Sequence, residues 1–293
     1  MQGSDRVFGA AAALVLATGI NALAGQGVTF RDKSGNMSVR NADSWLVEQL
    51  DDKFRFLCTG KPLIAAWQRQ GLEVRSARLS GEAASRESGE TALLTADLDG
   101  GVEAALVRDS SEPGADSKQR IRITGPKASY LASEERWTLP SGFDMTRSDP
   151  GAGQSNELRA GRGVVHMHPS SGRAEKRWPF RQADLTSDVR FKFVSRRRVA
   201  VANKPGQFES RQYTVQGRAD RLTYEDSSGT LTLTGNVQLD GDDPTVMGEL
   251  EAASAVLTLD DRARVKRIEL KGEPGRSRLH IPPEDASQRG RSR

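Results

Sequence analysis

At 293 residues the chain is longer than a typical domain of about 100–200, so it holds either one long domain or two joined ones. With 36% apolar and 5% aromatic residues and a mean hydropathy of -0.58, it describes a polar surface over a thin core, which disfavours a thick globular interior and suits a narrow sandwich or elongated roll. A lone cysteine excludes an internal disulfide, and a net charge of +4 with both signs interspersed fits anionic lipid headgroups as well as nucleic acid.

Arg6 precedes an apolar stretch from Val7 to Ile20, which ends in Ala22-Leu23-Ala24. That small-x-small ending after a short apolar run is what a signal peptidase cuts. The alternative is an uncleaved anchor helix at residues 7–23, for which the run is short against the roughly 20 residues a spanning helix needs. Residues 1–24 are therefore a signal peptide or a short membrane anchor, and the expected location is the periplasm. Export argues against nucleic acid as a partner.

Val28 to Arg40 alternates weakly. Asn41 to Gln49 is the one later stretch that predicts a short helix, and it could cover a sheet edge. Cys58, between Leu57 and Thr59, reads as a small buried hydrophobe rather than a reactive thiol. Beyond it the chain reads as strand and turn, with loops at Ser110–Ser117, Ser148–Ser155, His168–Arg173 and Asp240–Pro244. Weak hairpin patterns occur at 72–81 with 91–107, at 121–145 and at 158–194.

From Tyr213 the signal sharpens. Tyr213, Val215, Leu222 and Tyr224 alternate with polar residues up to the turn Asp226-Ser227-Ser228-Gly229. Leu231, Leu233, Val237 and Leu239 then take every odd apolar position. Period 2 puts them on one face of a pleated strand, and Gly229 can supply the reversal. Ala253, Ala255, Leu257 and Leu259 repeat the pattern before Val265, Ile268 and Leu270, where the change of phase predicts a β-bulge between Val265 and Ile268. From about Pro274 the composition is that of a disordered basic tail.

The string Ala219-Asp220-Arg221-Leu222-Thr223-Tyr224, followed by Ser228-Gly229-Thr230-Leu231-Thr232-Leu233-Thr234-Gly235-Asn236-Val237, resembles the OstA-like repeat of lipopolysaccharide-transport proteins, the family of LptA, LptC and the periplasmic domain of LptD. Gly248 to Leu259 is similar to a further degenerate unit, and Gly60 to Gly81 resembles the repeat more loosely. The resemblance implies a twisted antiparallel β-jellyroll that encloses a groove for acyl chains. It also implies edge-to-edge joining with other Lpt-type jellyrolls, and a link to an inner-membrane ABC transporter. Lipopolysaccharide or a related anionic lipid would be the cargo, passed towards the outer membrane. The chain exceeds the small members of that family by an extended middle and the basic tail.

The expected fold is thus all-β, with residues 25–147 and 148–273 as two sets of roll repeats and residues 274–293 as a tail. The groove candidates are Leu222, Tyr224, Leu231, Leu233, Val237, Leu239, Leu257, Leu259, Ile268 and Leu270. The same residues would equally form an ordinary closed core. Headgroup candidates are Arg177, Arg181, Arg196, Arg197 and Arg198, in a basic stretch interleaved with Trp178, Phe180, Phe191 and Phe193. A solvated strand face with Phe191 and Phe193 turned inward is the plainer account of that stretch.

His166 and His168 share a strand face, but no third ligand lies nearby in sequence, so no metal is expected. No nucleophile motif, P-loop or cysteine pair is present, and neither catalytic residue nor cofactor is expected. Two other readings stay open. One is a structural or adhesive envelope β-repeat without a groove; the other is a carbohydrate-active β-helix, which would need a cleft lined by carboxylates.

Overall fold

The computed structural model describes residues 28–31, 37–50, 52–68, 71–85, 91–109, 118–168, 178, 180–201, 206–243, 246–261, 263–272 and 278–280. The apolar stretch of residues 7–20, the loop expected at 110–117 and Arg177 lie outside them. Among the described residues the regular structure is antiparallel β, save 3-10 geometry at Gln68 and Ala132–Glu134, so the all-β expectation holds. They form two compact units, one from residues 28–108 and 120–143, the other from residues 109–119, 144–168 and 178–280.

The first unit runs as a meander through β1 (Val28–Arg31), β2 (Met37–Gln49), β3 (Lys53–Trp67), β4 (Leu72–Ser85), β5 (Thr91–Asp109), β6 (Lys118–Leu131) and β7 (Arg136–Leu139), with Asp109, Lys118 and Gln119 belonging to the second. The registers of its long strands shift near their middles. In β3, Phe54, Phe56 and Cys58 are buried on even numbers, whereas Leu63, Ala65 and Trp67 are buried on odd ones. The irregularity between Thr59 and Leu63 absorbs the change, so both halves keep their oily face inward on either side of the shift. Matching irregularities stand at Asn41 in β2, which has positive φ, between Arg75 and Arg78 in β4, and at Gly100-Gly101 in β5. These positions touch across the sheet: a Cβ on Gly100 would lie 2.6 Å from that of Ala77.

The helix expected at Asn41–Gln49 is not there. The segment is the second half of β2, paired with β3 from Ser44↔Thr59 to Gln49↔Phe54. Trp45 explains why, since its ring stacks between Phe30 and Phe56 at centroid distances of 5.1 and 6.3 Å, a contact made across neighbouring strands. The segment is therefore part of the sheet and not a cover for its edge.

Cys58 is fully buried, and that burial pushes its thiol up to about 12. At pH 8 only about one molecule in ten thousand would then carry the thiolate. A disulfide exchange reagent is expected to leave the native protein unlabelled over an hour and to react within minutes once the chain is unfolded in urea; stoichiometric labelling of the native protein would refute this.

The second unit comprises β8 (Phe143–Asp149), β9 (Gln154–Ala160), β10 (Arg162–Met167), β11 (Phe180–Ala200), β12 (Phe208–Glu225), β13 (Thr230–Asp243), β14 (Val246–Leu259), β15 (Val265–Lys271) and β16 (Arg278–His280). The hairpin read from sequence is present, with Leu222↔Leu233 and Tyr224↔Leu231 paired across the turn Asp226–Gly229. The predicted bulge is also there, because Leu259 pairs with Val265 and Thr258 with Arg267, leaving Lys266 as the extra residue.

Three expectations need correction. The stretch Asp240–Pro244 is not a loop as far as Asp243, since β13 runs to that residue and pairs Asp243 with Val246. Ala253 is exposed, and Ala252 takes the inward place, because the register of β14 slips opposite Gly235-Asn236. Arg278–His280, within the expected disordered tail, adds to β14 as a strand.

A crease crosses this unit too. Gly161 separates β9 from β10, which pair with successive parts of the one long strand β11. Beside it Ser187 and Asp188 have positive φ, the β12–β13 ladder skips Ala219-Asp220, and Gly235 and Asn236 have positive φ in β13. The contacts along the crease are close: Gly161 donates its N–H to the Ser187 carbonyl at 2.6 Å, and Asn236 Nδ2 donates to Asp220 Oδ2 at 2.9 Å. Each long strand thus contributes to two leaves. One leaf holds β8, β9, the end of β11, the start of β12, the end of β13 and the start of β14. The other holds β10 and the complementary halves.

Candidate functional site

The inner faces of the two leaves meet through aromatic rings. Trp178 lies 5.8 Å from Phe193 on the first leaf and 6.0 Å from Tyr224 on the second, and it also packs against Phe180. Of the groove candidates, Leu222, Tyr224, Leu231, Leu233, Val237, Leu239, Leu257 and Leu259 all point into this interior and are buried. Ile268 is half-buried and Leu270 is 38% exposed, because both lie on β15, where one ladder neighbour is missing. The structure brings eight of the ten together in one interior, and β15 carries the other two at its margin.

The interior is packed. Leu222, Leu233 and Leu257 are 0% exposed. At an average of about 25 cal/mol per Å², burying such side chains stabilises the unit by about 2 kcal/mol each. A surface depression of about 360 Å³ lies instead in the first unit, over the outward face of β2–β5. Arg55, Arg78, Glu48, Glu82 and Asp97 give it a charged lining. The Lys53 ammonium beside Glu82 holds that carboxyl below its usual range.

The headgroup candidates do not converge on the interior. Arg181, Arg196 and Arg198 are exposed, and the Arg198 guanidinium stacks on the exposed Phe208 ring at 5.3 Å. Arg197 turns to Asp243 at 2.6 Å and also donates to the Val265 carbonyl. Phe191 and Phe193 do point inward, as the plainer account of that stretch requires.

His166 and His168 are partly buried, and His168 Nε2 lies 3.4 Å from Asp226, whose other carboxylate oxygen accepts from the Tyr224 hydroxyl. No group of three metal-ligating side chains occurs among the described residues.

Sequence reasoning missed a buried ionic cluster. On β8, Arg147 and Asp149 are both 0% exposed, with Nη2 and Oδ2 separated by 4.0 Å. Gln154 Oε1 accepts from Arg147 Nη1 at 3.3 Å. In the amide orientations that satisfy both partners, Gln119 accepts from Nε at 3.1 Å and Nη2 at 2.8 Å, and Asn156 accepts from Nη1 at 3.1 Å. The guanidinium also stands 5.9 Å from the Trp178 ring. Burial pulls Arg147 down to about 10, partly offset by Asp149, so it stays charged at neutral pH.

No protein family's sequence model matches the chain, and no curated protein is similar to it. Among solved structures it is similar to the crystal structure of LptH, the LptA homologous periplasmic component of the conserved lipopolysaccharide transport device from Pseudomonas aeruginosa. That likeness has 13% sequence identity and a TM-score of 0.32, and covers 50% of this chain and 93% of that one. At such a TM-score it carries no residue roles across.

Proposed function

We propose that this chain is a periplasmic carrier that holds the acyl chains of lipopolysaccharide or a related anionic lipid between the two leaves of its β-roll. It passes the lipid to neighbouring β-rolls on the way to the outer membrane. The observation that carries the reading is the single apolar face of each long strand, creased so that Leu222, Leu233, Leu239 and Leu257 enclose one interior. Each methylene transferred into such an interior gains about 0.8 kcal/mol, so area alone gives affinity without a catalytic group.

Edges support the handover. β1 and β15 end the strand order, and an unpaired edge can accept a strand from a partner. Neighbouring rolls, and through them an inner-membrane ABC transporter, are the partners this reading implies.

A photo-reactive residue placed at Leu233 or Leu257 is expected to capture lipid in cells, and the purified chain to bind a fluorescent lipid A analogue saturably. Absence of saturable binding, with only protein captured, would defeat the proposal. That second outcome would favour a structural envelope β-repeat, the reading supported by the closed packing of Leu222, Leu233 and Leu257.

A further inference from the structure

The inner face of the first leaf changes character along three strands at once. Going away from the crease, β9 presents Ala160 and Leu158, then Asn156 and Gln154. In the same direction β11 presents Val189, Phe191 and Phe193, then Ser195, and β13 presents Val237 and Leu239, then Gly241 and Asp243. The ladder sets the change on β9 one step ahead of that on β11, since Phe191 pairs with Leu158 but Phe193 pairs with Asn156. On these strands the inner face is therefore apolar beside the crease and more polar towards the far rim, where Arg147 and Asp149 sit, while Val215 on β12 and Val246 on β14 add apolar side chains there. Such a gradient matches an amphiphile lying lengthwise.

Arg147 has the chemistry to hold the polar end. A fully buried guanidinium is ordinarily met by a carboxylate in bidentate contact. Here the oxygens at hydrogen-bond distance belong to the neutral amides of Gln119, Gln154 and Asn156, with Asp149 at 4.0 Å. Neutral amides can yield to an anion more readily than a bonded carboxylate does. The cation stands over the Trp178 ring, 5.9 Å from its centroid, and the Nε1–H of that 2% exposed residue is buried and has no acceptor among the described residues. A buried donor without a partner is a standing cost that an anionic oxygen would remove.

We propose that Arg147, seconded by Trp178 Nε1–H, is the anchor for the anionic head of an acyl lipid inside the second unit. This assigns the orientation of the ligand: head at the Arg147 rim, tail along Leu239, Leu233 and Leu257 past the crease. The inference rests on the lipid-binding reading above and adds the ligand's charge and direction to it. The exposed arginines at 181, 196 and 198 have no part in it.

The test uses the full purified chain titrated with hexadecyl phosphate and with hexadecanol, which share a tail and differ in head charge. Wild type is expected to bind the phosphate about tenfold or more tighter, as a buried charge-assisted hydrogen bond allows. Arg147→Gln should abolish the preference, and Asp149→Asn, which removes a competing negative charge, should increase it. If neither probe binds, the lipid-binding reading itself fails. If both bind wild type equally, or if Arg147→Gln keeps the preference, only this inference is overturned.

A second measurement needs no change at Arg147. Stearate spin-labelled beside its carboxylate should quench the Trp178 component of the fluorescence, defined by its loss in Trp178→Phe, more strongly than stearate labelled at its methyl end. The opposite ranking would overturn the assigned direction.

Discussion

Asp149→Ala is expected to lower the free energy of unfolding by about 3–5 kcal/mol, the usual cost of leaving a buried charge without its counter-charge. Both members of the pair are 0% exposed, so water cannot take over the lost role without entering the interior. Asp149 Oδ1 also accepts the Ala152 N–H at 3.2 Å, which closes the turn between β8 and β9. Asp149→Asn keeps that acceptor and removes only the charge, so it should cost less than alanine. The double variant Arg147→Met with Asp149→Ala should recover much of the loss, since two apolar groups replace a pair that was expensive to bury. Urea unfolding of the four proteins measures this directly. Single variants within about 0.5 kcal/mol of wild type would mean that the site is hydrated.

Gly235→Ala is expected to cost about 3 kcal/mol. Left-handed backbone costs an L-residue about 1–2 kcal/mol, and Gly235 has φ of +73°. The added Cβ would also lie 2.9 Å from the Asp220 Cβ, forcing that carboxylate off Asn236 and losing about 1 kcal/mol more. Gly206→Ala is the control. Its φ is +77°, yet nothing lies within 4 Å of the new methyl, so only the backbone cost of about 1–2 kcal/mol applies. Equal urea midpoints for the two variants would show that the close contacts at the crease contribute nothing.

The strands were legible where the residues between apolar positions were polar. Thr232, Thr234 and Gln238 separate Leu231, Leu233, Val237 and Leu239, and the hairpin they predict is the one observed. Legibility failed in β2, where Trp45, Leu46 and Val47 are consecutive apolar residues. Leu46 points outward and is 64% exposed, so alternation is hidden there and the sequence pattern predicts a helix. The crease was legible only in part. Glycines at 161 and 235 announce freedom of φ, but Ser187, Asp188 and Asn41 adopt positive φ through tertiary context.

Arg147 carried a signal that was readable in principle. Phe143, Met145, Arg147 and Asp149 follow one period-2 phase, so two charged residues stand on an apolar face. The basic run at 196–198 was more conspicuous, yet conspicuous charge marks solvent more often than a site.

The crease has a mechanical meaning. The β11–β12 ladder skips Ser187-Asp188, the β12–β13 ladder skips Ala219-Asp220 and the β13–β14 ladder skips Gly235-Asn236, so a swing of the two leaves about that line, like the covers of a book, would break none of the paired rungs on either side. On the carrier reading proposed above, admitting a fatty tail would require rotation at a handful of backbone dihedrals and the separation of rings that touch across the gutter, Trp178 from Phe193 and Tyr224.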